Sequence, residues 1–121
     1  MAVSRVERIE HHGALIVCID LTKASPAEVR EAIGRAAPLI YTGQPGTVLT
    51  MTLATDVAIT RDTVGDLREF LSANKPYVKA AAIVGASGLA TAVLATLRLV
   101  TGRELATFSD VEEAKDWLAS K

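Results

Sequence analysis

The spacing of apolar positions changes between the period of a strand and the period of a helix along the whole chain. The runs VSRVERIE and ALIVCIDL are extended, and residues 11–13 between them predict a hairpin turn. Further strands are predicted at TVLTMTLAT, VKAAAIVG and RELATF, with a helical segment after each. The predicted order is β-β-α-β-α-β-α-β-α. Because strands that alternate with helices pair in parallel, we expect an α/β fold with a single mixed, mostly parallel sheet flanked by helices.

Two segments carry the strongest local signals, the first helix and the fourth strand. Ser25 is a suitable N-cap for the helix, and Glu28 completes a capping box with it. Pro38 is expected to end or bend this helix, because proline cannot supply a backbone N–H. The strand VKAAAIVG is too apolar to have an exposed face, so we expect it to lie centrally in the sheet.

Length and charge limit the classes of protein that fit this chain. The 121 residues predict one domain that spans residues 1–121. Its 13 basic and 14 acidic residues are interspersed and give a net charge of −1, so no basic stripe is present to neutralise phosphates. The composition therefore argues against nucleic acid as a partner.

Three features indicate a protein of the cytoplasm. The N-terminal residues lack the apolar core of a signal peptide. Residues 80–97 form the longest apolar-leaning segment, but Gly85, Ser87 and Gly88 interrupt it, so we expect no membrane span. Cys18 is the single cysteine, which excludes an intramolecular disulfide, and its apolar neighbours predict a small core side chain.

Polar or small residues follow three of the predicted strands at the point where each strand ends. Parallel strands have their carboxyl ends at one edge of the sheet, where open α/β sheets bind ligands, so we expect a ligand site there. Two carboxylates beside hydroxyls suit acid–base chemistry or a divalent cation; alternatively, Asp20 and Asp56 terminate strands and cap turns. The candidate ligand-binding residues are Asp20, Thr22, Thr55, Asp56, Gly85, Ala86 and Ser87.

The turn GASG after the fourth strand has three interpretations. It lacks the lysine of a phosphate loop and the full G-x-S-x-G of a serine elbow. We therefore interpret it first as a tight connection, whose free backbone N–H groups suit an anion. A hydrolase that uses Ser87 with Asp20 or Asp56 lacks a placed histidine, so we expect no catalytic residue and no cofactor.

His11 and His12 are adjacent in the predicted hairpin turn. No cysteine or second histidine cluster accompanies them, so we interpret both as surface residues and predict no metal site. Trp117 follows Ala114 at helical spacing, and we interpret it as a core anchor of the last helix.

Three stretches occur along the chain in a specific order: IDLTKASPAEVREAI, then ANKPYVKAAAIVG with SGL after it, then TGRELATFSDVEEAKDWL. In this order they resemble the small SpoIIAA-like proteins, relatives of the STAS domains and more loosely of the CRAL-TRIO fold. The resemblance implies a four- or five-stranded sheet, no enzymatic activity and a bacterial regulatory role. The expected function is binding of a protein partner; the alternative is a carrier or sensor of a small apolar or anionic ligand at the strand-end edge.

The resemblance also implies a candidate phosphorylation site. In phosphorylated anti-anti-sigma factors the acceptor hydroxyl caps the second helix, within an acidic-Ser-Ser-Gly-Leu-like turn. This chain lacks that turn, and Leu53 stands where similar sequences lead us to expect an aspartate. The nearest hydroxyl by position is Thr60, which the helical spacing of Thr63 predicts as the N-cap.

The predicted third helix contains an uncharged stretch, LATAVLATL. One apolar stripe is able to pack on the sheet, which leaves further apolar atoms without a cover. Because symmetric dimers are the commonest soluble assembly, we expect a homodimer through this helix. The candidate interface residues are Leu89, Ala90, Val93, Leu94 and Leu97.

Overall fold

The computed structural model describes residues 5–86, residue 95 and residues 104–121. In chain order these residues form β1 (Val6–His11), β2 (Ala14–Asp20), α1 (Pro26–Tyr41), β3 (Val48–Leu53), α2 (Arg61–Asn74), β4 (Val78–Val84), β5 (Leu105–Phe108) and α3 (Val111–Ala119). The five strands lie in one sheet in the order β1-β2-β3-β4-β5. β1 is antiparallel to β2 and the other pairs are parallel, which confirms the predicted α/β fold with a mixed sheet.

The hairpin between β1 and β2 turns in two residues. His12 and Gly13 both have positive φ angles, of 50° and 82°, as a type I′ turn requires. His11 pairs with Ala14 directly beside the turn, and Val6 pairs with Ile19 at the far end. A turn of this type follows the right-handed twist of the strands, so the six facing pairs continue without a bulge.

The first helix begins at the predicted N-cap and continues past Pro38 to Tyr41. The Ser25 hydroxyl accepts a hydrogen bond from the Glu28 N–H, and the Glu28 carboxylate accepts one from the Ser25 N–H, so the capping box is confirmed. Of the two outcomes expected at Pro38, an end or a bend, the helix does not end there, since α1 continues to Tyr41. Fully buried Ile40 packs in the core beyond the proline, and the Thr42 N–H donates to the Pro38 carbonyl.

The sheet separates two apolar layers. The first, called the α1–α2 layer here, contains Val17, Ile19, Ala81 and Ile83 of the strands together with buried residues of both helices. The second, called the α3 layer, contains Ile16, Cys18, Leu49, Met51, Ala80, Ala82 and Val84 against Ala114 and Leu118. Because β4 contributes to both layers, its predicted central position is confirmed.

Trp117 packs against the α3 layer, with its ring centroid 5.5 Å from that of Phe108.

None of the helices in the described part of the chain combines the length and the apolar character that a membrane span requires. The predicted third helix, including the candidate interface residues Leu89, Ala90, Val93, Leu94 and Leu97, lies outside the described residues, so self-association stays a prediction.

Burial disfavours the reactive thiolate form of Cys18. The residue is 8% exposed, and burial, with Glu7 and Asp20 as weaker contributors, raises its pKa to about 11. At about pH 8 the thiolate fraction is then about one in a thousand.

We predict negligible reaction of the native protein with an aromatic disulfide reagent and stoichiometric reaction in urea, measured by absorbance. Cys18→Ala is the control for other nucleophiles, and rapid labelling of the native protein would contradict this burial.

Candidate functional site

The loops that follow the parallel strands are joined by backbone hydrogen bonds. The Lys23 N–H, after β2, donates to the Thr55 carbonyl at 2.9 Å, and the Ala54 N–H, after β3, donates to the Val84 carbonyl at 2.8 Å. The carboxyl ends of β2, β3 and β4 therefore meet at one edge of the sheet, as parallel pairing predicts.

At this edge Asp20 and Thr22 form a closed turn. The Asp20 carboxylate accepts a hydrogen bond from the Thr22 N–H at 2.9 Å. The Arg5 guanidinium donates to the backbone carbonyls of both residues at 3.1 Å and pairs with the Glu28 carboxylate at 2.8 Å. The Ser25 N–H and Arg5 lower the pKa of Glu28 by hydrogen bonding to its carboxylate. This geometry is that of a turn cap, the alternative interpretation of Asp20.

Thr55 and Gly85 approach each other closely at the same edge. Gly85 has a φ of +81°, and a Cβ atom placed on it would lie 2.1 Å from the Thr55 hydroxyl oxygen. The Gly85 N–H donates to the Phe108 carbonyl at 3.0 Å, so it is not available to an anion. Asp56 is exposed with a φ of 54°, while Ala86 packs against the α1–α2 layer. Ser87 lies outside the described residues.

Thr60 is the N-cap of α2, as its spacing predicts. Its hydroxyl accepts a hydrogen bond from the Thr63 N–H at 3.1 Å and lies 3.0 Å from the Thr63 hydroxyl. Thr60 is exposed, whereas Thr63 is fully buried. A phosphate on Thr60 stays a prediction.

A cavity of about 240 Å³ lies at the opposite edge of the parallel strands, between the end of α1 and the starts of β2 and β3. Most of its wall is aliphatic. The lining residues are Arg8, Leu15, Ile16, Val17, Leu39, Thr42, Gly43, Thr47 and Val48.

The sequence did not indicate this cavity. Its polar wall comes from Arg8 and from Thr42 beyond the end of α1. The Arg8 guanidinium donates to the Thr42 hydroxyl at 3.2 Å, and that hydroxyl donates to the Leu39 carbonyl. Among the described residues, no carboxylate pairs with Arg8. Leu15, on the same wall, is 65% exposed although it is a large apolar side chain.

A second cluster joins the hairpin to the last helix. His11 Nε2 lies 2.7 Å from Asp116 Oδ1, and His12 Nε2 lies 3.5 Å from the same oxygen. The hydrogen bond from His11 lowers the pKa of Asp116, because it stabilises the carboxylate. His12 is a surface residue, as predicted, with its side chain 71% exposed, whereas the His11 side chain is only 16% exposed; Asp116 approaches both rings, a contact that the sequence did not indicate.

Comparison with known proteins supports the fold. A crystal structure of an uncharacterized protein from the DUF3478 family of Shewanella loihica PV-4, described as having a SpoIIAA-like fold, superposes with a TM-score of 0.63. The alignment covers 93% of this chain and 91% of that chain, at 19% sequence identity. The fold is SpoIIAA-like. No family model matches the chain, and no curated protein matches it significantly. At 19% identity this likeness shows the fold alone and carries no information about activity.

The contact between Gly85 and Thr55 predicts a stability difference between two glycine substitutions. Gly85→Ala adds both the strain of a positive φ and a collision with Thr55, so we expect a loss of about 2–3 kcal/mol in the free energy of unfolding. Gly13→Ala is the matched control, because its φ is +82° but nothing lies within 4 Å of the added Cβ. Gly13→Ala is expected to lower the free energy of unfolding by about 1 kcal/mol. Urea denaturation measures both; equal losses would contradict the close contact.

Proposed function

We propose that this SpoIIAA-like domain is a non-enzymatic carrier or sensor that binds a small apolar molecule with an anionic group. The observation that carries the proposal is the Arg8 guanidinium on the wall of an otherwise largely aliphatic cavity. A guanidinium without a carboxylate partner in the described part of the chain suits a carboxylate, which it binds through charge-assisted hydrogen bonds. Leu15 and Val48 supply the apolar contacts.

The size of the cavity limits the ligand. Pockets for drug-sized ligands have volumes of about 300–1,000 Å³, and this cavity, at about 240 Å³, is smaller. A short aliphatic or aromatic carboxylate therefore fits better than a long-chain lipid. Of the lining residues, Arg8 is the one that carries an ionisable side chain. The wall thus offers no acid–base pair, which supports binding without catalysis.

We predict that benzoate and hexanoate bind in this cavity and that Arg8→Gln lowers their affinity about tenfold. The reason is the loss of one charge-assisted hydrogen bond, worth about 1.5 kcal/mol. Amide chemical-shift titrations locate and quantify the binding, with the largest changes expected at Leu15, Thr42 and Val48.

Two controls separate charge from apolar contact. Arg35→Gln removes an exposed arginine of α1 that pairs with Glu31, and it is expected to leave the affinity unchanged. Hexanamide, which lacks the charge, is expected to bind the wild type and Arg8→Gln equally. Absence of shifts around the cavity with either carboxylate, or equal carboxylate affinity in Arg8→Gln, would contradict the proposal.

A second candidate function is the one expected from the sequence, binding of a protein partner in bacterial regulation. It is favoured by a groove of about 220 Å³ between α1 and α2, with an apolar floor that includes Ile33 and Phe70. Tyr41, at the end of this groove, is 39% exposed, and the Arg30–Asp66 ion pair crosses its rim at 3.3 Å. Tyrosine and arginine side chains are enriched at protein–protein interfaces and among their energetic anchors.

A photo-crosslinking amino acid at position 41 tests this second function in cells. We expect a discrete crosslinked protein from Tyr41 and none from the control position Glu31, which is exposed on the same helix. Crosslinking of equal yield from both positions, or from neither, would contradict a partner in this groove.

A further inference from the structure

The two histidines of the hairpin and one carboxylate of α3 form a set of metal ligands. His11, His12 and Asp116 each offer one ligand atom, and these atoms all lie within 4.8 Å of one another. We propose that they bind one divalent transition-metal ion, such as Zn²⁺. Two imidazoles and a carboxylate are the ligand types that Zn²⁺ prefers, and three protein ligands leave a fourth position for water.

A different structural element positions each of the three ligands. His11 alternates with Ile9 along β1, and Ile9 packs on the α3 layer, so His11 faces the same side of the sheet as α3. His12 is the first central residue of the type I′ turn, with a φ of 50°. Asparagine, aspartate and glycine are the commonest residues at such a position, and histidine adopts a positive φ more often than most other residues do. Asp116 lies on α3 between the buried residues Ala114 and Leu118.

Two of the three pairs of ligand atoms lie within about 0.6 Å of the separation that a zinc ion requires, and the third pair, one atom from each histidine, lies within 4.8 Å. Zn²⁺ bonds of about 2.0–2.1 Å in a tetrahedral arrangement place neighbouring ligand atoms about 3.3 Å apart. The distance from His12 Nε2 to Asp116 Oδ1 is 3.5 Å, close to that value. The distance from His11 Nε2 to the same oxygen is 2.7 Å and needs to lengthen by about 0.6 Å. The two imidazole rings already lie beside each other, with centroids 4.2 Å apart.

Solvent exposure makes the site accessible. The side chains of His12 and Asp116 are 71% and 63% exposed, so an ion reaches them without any opening of the fold. The ion joins a hairpin to a helix that lies about a hundred residues away along the chain. Because Asp116 lies beside the two histidines in the native state and far from them in the unfolded chain, metal binding is expected to raise the melting temperature.

The test is a calorimetric titration of the full chain with Zn²⁺. Any affinity tag is removed first, and a chelator then strips the protein of bound metal. We expect one ion per chain, and at least a tenfold loss of affinity in each of two variants, His12→Asn and Asp116→Asn. Absorption of bound Co²⁺ gives an independent readout of nitrogen and oxygen ligands. His12→Asn keeps the turn, since asparagine adopts a positive φ readily, so its melting temperature without metal is expected to equal or exceed that of the wild type.

Asp62→Asn is the matched control, because it removes an exposed carboxylate from α2 and leaves the cluster intact. It is expected to bind Zn²⁺ as the wild type does. Zn²⁺ is expected to raise the melting temperature of the wild type and of Asp62→Asn equally, and to raise that of His12→Asn by less at the same concentration. Absence of saturable binding at millimolar Zn²⁺, or equal affinity in the wild type, His12→Asn and Asp116→Asn, would overturn the proposal.

Discussion

A shift of one residue in the pairing of β1 with β2 would move every side chain of one strand to the other face of the sheet, because successive side chains alternate. The observed register pairs Arg8 with Val17 and Ile9 with Ile16. It directs Arg8 toward the α1–α2 layer and Ile9, with His11, toward α3. Both candidate sites depend on this pairing, since each takes residues from the hairpin and residues from a helix on one face.

The two sites lie on opposite faces of one hairpin and use different chemistry. The cavity combines aliphatic side chains with a guanidinium and suits an amphipathic anion. The cluster of His11, His12 and Asp116 combines imidazoles with a carboxylate and suits a cation. The sheet lies between them, so a substitution at Arg8 leaves the ligands of the cation intact, and a substitution at Asp116 leaves the cavity wall intact. The hairpin connects the two sites. Coupling between them is measured as the factor by which a bound cation changes the affinity for the anionic ligand.

Much of the fold follows from local patterns, because capping, turn chemistry and strand alternation act between residues close in sequence. Three features were predicted from such local patterns: the capping box of Ser25 and Glu28, the hairpin at residues 11–13 and the central position of β4. At Pro38 the sequence left two outcomes open, an end or a bend of α1, and the helix continues because the burial of Ile40 in the core offsets the lost hydrogen bond.

The candidate sites were harder to predict because they arise from contacts between distant residues. Asp116 meets His11 across a separation of 105 residues, and no spacing in the sequence signals that contact. The cavity depends on how the end of α1 lies over the sheet, which decides that Arg8 borders Thr42. The predicted edge site shows the converse: its strand ends do converge, yet the Gly85 N–H and the Asp20 carboxylate are occupied by internal hydrogen bonds.

The register of the hairpin is the claim on which both sites depend, and nuclear Overhauser effects between facing α-protons measure it directly. The observed register predicts strong contacts between the α-protons of Arg8 and Val17 and between those of Glu10 and Leu15. Contacts of Arg8 with Ile16 or Cys18 in their place would show a register shifted by one residue. Such a shift would remove Arg8 from the cavity and His11 from Asp116, and both proposed sites would then be wrong.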